Sequence, residues 1–219
     1  MFLDFESDTK DNFYLAGMEM DGNFEQIILD YRLEGLGAFR NLNLMTIQSF
    51  LEKICSEYTN LTIYGYSIHE RDVFNEFIKD PKLRNPNFTY VNLLKAAKSW
   101  IFKCHKEEFD NLPPFRKTAS EYQSKRLKNS LASVMRLTDY QSKSDYAPGR
   151  TTKRFNMGIK GLVRHNQNYE NLTKSQKRDL TQALSHNEFD VRALPVLFEN
   201  ILKEHPKALD KASKPLFEI

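Results

Sequence analysis

The chain has 219 residues, with 32 Lys and Arg against 29 Asp and Glu and a net charge of +3. That length suits one substantial core, and no stretch approaches the roughly 18 apolar residues of a membrane span, so the expectation is a protein that does not enter the membrane. No basic region followed by a hydrophobic one opens the chain, which predicts no signal peptide and a cytoplasmic location. Cys55 and Cys104 lie far apart in apolar helical patterns, with no second cysteine at zinc-finger spacing; both are predicted to be buried free thiols.

Charge is unevenly distributed. Residues 1–97 carry 9 basic and 15 acidic side chains, a balance of −6, whereas residues 98–154 carry 13 and 6, a balance of +7. An acidic half beside a basic, aromatic-containing middle suits a metal-dependent enzyme acting on a polyanion. The same lysines and arginines also suit an ordinary solvated helix surface.

In chain order, Phe2-Leu3-Asp4-Phe5-Glu6 reads as a strand. Side chains two apart share a face, so Asp4 and Glu6 project together and Leu3 and Phe5 point the other way. Two carboxylates side by side repel unless protons or a cation relieve them, and Mg²⁺ or Mn²⁺ prefers their oxygens. The alternative is a frayed strand with both groups in water. Asn12–Met20 and Phe24–Asp30 read as a second and third strand around the Asp21-Gly22-Asn23 turn, an antiparallel meander. Gly35-Leu36-Gly37 breaks the pattern. From Thr46, Ile47, Phe50, Leu51, Ile54, Cys55 and Tyr58 recur at helical spacing and predict a helix lying on the sheet.

Leu61–Tyr66 is a β-branched and aromatic fourth strand that runs directly into a helix at Ser67-Ile68-His69-Glu70. Polar groups at such a junction sit at the C-terminal edge of the sheet, where open α/β sheets bind ligands. Glu70 is the third carboxylate aimed there, with Asp72 its competitor; a first-turn acidic residue also complements the helix dipole. Thr89–Cys104 begins as a short strand or passes straight into a helix, with Trp100 in the core. Thr118–Glu121 has capping-box spacing and predicts a helix to about Thr138 with Lys125 and Arg126 outward. Tyr140–Phe155, holding Arg150, Lys153 and Arg154, reads as a polar loop that either touches substrate or has no role. Gly158–Val163, with Lys160, begins a short helix or turn. Thr173–Gln176 caps the last major helix, whose His186 and Asp190, four apart, reach one point. Pro195 is expected to kink or interrupt it.

Three of these segments together resemble the DEDD group of ribonuclease H-like nucleases, near the YprB-like and predicted RecB-associated members. Asp4 and Glu6 look like the Asp-x-Glu of the first motif, Ile63 to Glu70 like the second in its glutamate form, and His186 to Leu194 like the third. Two departures stand out: Glu70 replaces the usual Asp, and His186 stands where relatives carry Tyr, with His165 as an alternative. The resemblance implies a single α/β ribonuclease H-like domain over 1–219, with a mixed five-stranded sheet and a basic helical insertion at about 105–155. It further implies a two-metal 3′ to 5′ exonuclease on single-stranded DNA or RNA ends. In that reading Asp4, Glu6, Glu70 and Asp190 hold two Mg²⁺ or Mn²⁺ ions, with Asp4 shared between them, and His186 takes the proton from the attacking water. Lys125, Arg126, Arg150, Lys153, Arg154 and Lys160 are the candidates for nucleic-acid binding. An endonuclease, or a binding module without catalysis, would use the same fold, and protein partners are not legible.

Overall fold

The computed structural model describes residues 1–8, 10, 12–113, 129–140 and 150–218. The sequence-predicted helix start at Thr118, together with Lys125 and Arg126, lies outside the described residues. Among those described, strands β1 (Phe2–Ser7), β2 (Phe13–Met20), β3 (Asn23–Ile28), β4 (Asn43–Leu44), β5 (Leu61–Gly65), β6 (Phe88–Asn92) and β7 (Ser213–Pro215) form one sheet in the order β4-β3-β2-β1-β5-β6-β7. The first three strands make the expected antiparallel meander, and β5 and β6 extend it in parallel on the other side of β1. Asp21 and Gly22, at φ 52° and 79°, close the β2–β3 hairpin, the two left-handed positions that a tight primed turn requires. Seven strands stand where five were expected. The two additional ones are edge pieces of two and three residues, too short to carry a periodic signal.

Nine helices are described: α1 (Glu34–Arg40), α2 (Ile47–Glu57), α3 (His69–Phe77), α4 (Leu93–Trp100), α5 (Lys106–Asn111), α6 (Leu131–Val134), α7 (Thr151–Arg164), α8 (Lys174–Glu204) and α9 (Lys207–Ala212). They cover both faces of the sheet. On one face Leu3, Phe5 and Ile63 pack with Phe50, Leu51 and Ile54 of α2 and Phe74 of α3. On the other, Tyr14, Leu15 and Ile28 pack with Phe155 of α7 and Leu180 and Leu184 of α8, while Trp100 packs with Phe189, Leu194 and Leu197. Helix α8 thus crosses from one apolar cluster to the other. Between those clusters it lies against β1, on the face that Asp4 and Glu6 occupy because Leu3 and Phe5 take the opposite one.

Several local expectations change. Gly35-Leu36-Gly37 does not end regular structure but lies inside α1, where burial of Leu33 and Leu36 and a bond from the Gly35 N–H to Gln167 Oε1 (3.1 Å) outweigh the poor helix propensity of glycine. Of the helix expected from Thr118 to about Thr138, the part within the described residues begins only at Leu131, with the Ser130 side chain accepting from the Ser133 N–H as its N-cap. The expected loop of residues 140–155 is helical from Thr151, which joins the Gly158–Val163 segment in α7 and puts Lys153 and Arg154 on a helix. Thr173 and Gln176 form the predicted reciprocal cap, but Pro195 lies inside α8 without ending it. Buried Val191, Leu194 and Leu197 hold the chain to the core on both sides of that proline. Cys55 is buried, and burial pushes its thiol up to about 12; Cys104 is exposed, contrary to expectation.

The approach of α8 to the sheet depends on Gly17 of β2, the cross-strand partner of Asp4. A Cβ there would lie 2.8 Å from both Asn187 Cγ and Val191 Cγ2, closer than packed atoms tolerate. Gly17→Ala is therefore expected to destabilise the fold by about 1–3 kcal/mol, read as a lower midpoint in urea unfolding with an unchanged slope.

Candidate functional site

Asp4 and Glu6 leave β1 toward α8, and His186 and Asp190 leave α8 one turn apart toward β1. The His186 Nε2 is 3.4 Å from Asp190 Oδ2 and 3.9 Å from Glu6 Oε1. Glu6, His186 and Asp190 each offer one ligand-type atom within 4.8 Å of the other two. Their side chains are only 13 %, 10 % and 18 % exposed, so water screens them poorly. Asp4 adjoins this group. Its Oδ2 accepts from Asn187 Nδ2 at 2.9 Å, and it shares with Tyr66, Ser130, Leu131, His186 and Asp190 the lining of a cavity of about 200 Å³.

Glu70 approaches from the other side. It is buried at the start of α3, whereas its competitor Asp72 is exposed. The Glu70 carboxylate accepts from the Tyr90 hydroxyl at 2.9 Å and from Ser67 Oγ at 3.4 Å, and its charge acts on Asp4. It lies outside the Glu6, His186 and Asp190 group. His165 lies at the end of α7 and does not belong to that group either.

Electrostatics follow from this crowding. Burial, then the charges of Asp190 and Glu70, push the Asp4 carboxyl well above the usual carboxylate range, against the opposing hydrogen bond from Asn187. Burial, then Asp4 and Asp190, do the same to Glu6. Burial and the nearby Arg154 guanidinium push His186 down to about 4, so near neutrality its imidazole is uncharged and able to accept a proton or ligate. Such a cluster holds protons when alone and is relieved by a cation that replaces them. The carboxylates of Asp4, Glu6 and Asp190 are a donor set suited to Mg²⁺ or Mn²⁺.

Three participants escape sequence reasoning. Asn187 is fully buried; its side chain joins Asp4 to Gln26, whose Nε2 donates to Asn187 Oδ1 at 3.0 Å and to the Leu184 carbonyl at 2.9 Å. A signal for Asn187 exists, since it falls three after Leu184 and four before Val191 on the apolar stripe of α8. Nothing local marks Gln26. Tyr66 lines the cavity and donates to the Asn129 carbonyl at 2.8 Å; burial raises its hydroxyl pKa, so it stays protonated.

The basic candidates separate by position. Arg150, Lys153 and Lys160 are exposed, whereas Arg154 is buried between α7 and the site. Among the described residues, no helix is long and apolar enough to cross a membrane. Comparison with family models, with curated proteins and with solved structures gives no match.

Proposed function

We propose that this chain is a metal-dependent phosphodiesterase of ribonuclease H-like architecture, acting as a 3′ to 5′ exonuclease on single-stranded DNA or RNA ends. The observation that carries the reading is the convergence of Asp4 and Glu6 with His186 and Asp190, some 180 residues later, in one poorly screened cluster. The order of three antiparallel strands followed by two parallel ones beside β1, within the seven-stranded sheet, supports that architecture.

Asp4, Glu6 and Asp190 would hold the ions, with the charge of Glu70 acting on Asp4. Bound there, Mg²⁺ or Mn²⁺ would lower the pKa of water and offset charge on the attacking and leaving oxygens. The residues of the chain do the rest. Asn187, itself fixed by Gln26, sets the orientation of the Asp4 carboxylate. His186, kept neutral by burial, accepts a proton from water at the face of Glu6 and Asp190. Tyr66 and Leu131 wall the cavity against bulk solvent.

The test is digestion of end-labelled single- and double-stranded DNA and RNA, and of circular single strands, with Mn²⁺ and with chelator. Stepwise shortening of single strands from the 3′ end, abolished by chelator, is the expected result. Cleavage of circles would reassign the site to an endonuclease. Binding without hydrolysis under any divalent ion would reject the enzyme in favour of a binding module.

A further inference from the structure

Helix α8 carries Arg178, Gln182, His186 and Asp190 at successive four-residue steps, a ridge that winds by about 40° round the helix at each step. From Arg178 to Asp190 the ridge runs about 18 Å at 1.5 Å per residue. Its second half faces the carboxylate cavity. Its first half lines a separate groove of about 390 Å³ between α7 and α8. Of the eight side chains that line it, four are cationic (Arg150, Lys153, Arg154 and Arg178) and one, Asp179, is a carboxylate. Arg150, Lys153 and Arg178 are exposed, while the buried Arg154 is close enough to act on His186. Basic groove and acidic cavity are thus two ends of one feature.

The signs are opposite because the two ends suit different partners. An acidic cavity repels phosphate unless cations are bound, whereas a cationic groove attracts it directly. A small anion would need only one of the groove's arginines. A groove of about 390 Å³ that holds four cations, with hydrogen-bonding Gln182 one turn from Arg178, suits several phosphates of one chain instead. A duplex would present its second strand to a groove whose cations line a single cleft between two helices.

We infer that the α7–α8 groove is a track for the phosphodiester backbone of a single strand, in which Lys153 and Arg178 hold phosphates next to the one at the cavity. This inference rests on the phosphodiesterase reading for its direction, and its test separates the two. Binding of a fluorescent 12-nucleotide single strand to the full-length chain is measured by polarisation in chelator, over a range of salt. Lys153→Gln with Arg178→Gln is expected to weaken binding about tenfold. It should also flatten the log–log salt dependence by about 1.4, at roughly 0.7 for each single-strand phosphate that the protein ceases to neutralise. Arg164→Gln with Lys203→Gln removes two exposed cations from the same two helices outside the groove and should change neither. Equal weakening in the two double variants, or none in the first, would overturn the track, provided that thermal melts show both folded. Weakened binding in the groove variant alone, in a protein that hydrolyses no polynucleotide with Mn²⁺, would keep the track and reject the phosphodiesterase. An inorganic phosphate competitor that displaces the strand at an affinity equal to the strand's own would mark a simple anion site and overturn the inference.

Discussion

Asp4→Asn and Asp190→Asn are each expected to lower Mn²⁺-dependent phosphodiester hydrolysis by about 10³-fold or more, equivalent to about 4 kcal/mol of transition-state stabilisation. Both substitutions keep side-chain size. The amide oxygen introduced at position 4 can still accept from Asn187, so the bond between β1 and α8 survives while the charge is removed. Circular dichroism should therefore be that of the parent. The decisive comparison is initial rate on a labelled single strand at saturating Mn²⁺, with fold verified in the same preparation. Full activity in both variants would remove these carboxylates from the mechanism. A loss in Asp190→Asn alone would confine the centre to Glu6, His186 and Asp190.

The second large effect is on stability. Unfolded, Asp4 and Glu6 ionise near pH 4; folded, burial and the charges of neighbouring carboxylates, Asp190 for both, keep them protonated to higher pH. The folded state then binds more protons, so the contribution of both groups to stability falls as pH rises from about 4 through their raised values. His186 works in the opposite sense. Its folded value of about 4 lies below the unfolded 6.5, so its contribution rises with pH between the two and is constant above. Subtracting a variant isolates the carboxylate effect: the melting temperature of metal-free Asp4→Asn should gain on the parent progressively as pH rises from about 4. Mn²⁺ should restore the parent, because a ligand at a hundred times its dissociation constant adds about 2.7 kcal/mol. That corresponds to roughly 5 to 10 °C for a chain of this size. Asp4→Asn and Asp190→Asn should gain far less. A parent melting curve indifferent to Mn²⁺ at neutral pH would mean that no ion is held there.

Some of this site is legible from local pattern alone. The two-residue alternation of Leu3, Asp4, Phe5 and Glu6 puts both carboxylates on one face, and the four-residue step from His186 to Asp190 does the same on a helix, because backbone geometry fixes both periods whatever surrounds them. Capping chemistry at Thr173 is equally local: a hydroxyl and an amide three residues apart satisfy each other's backbone N–H groups. These signals survive because they need only neighbours along the chain.

Other features depend on distant partners. Helix α1 forms over two glycines because Leu33 and Leu36 find a core and Gln167 receives the Gly35 N–H, a partner 132 residues away. Lys153 and Arg154 stand on a helix because Phe155, Ile159 and Leu162 bury against Tyr14 and Leu180. Gln26 reaches the site only through a hydrogen bond spanning 161 residues.

The amino-acid order by itself determined which side chains share a face of a strand or a helix, and so which charged groups could act in pairs. Tertiary packing alone decided that the pair on β1 and the pair on α8 face each other. It also decided that Asn187 stands between them and that Glu70, not Asp72, is turned inward. The physical reason is that periodicity is set by bonds within a few residues, whereas burial and screening are set by what α8 is pressed against. The absence of a side chain at Gly17 lets that helix come close enough to bring the charges into one poorly solvated space.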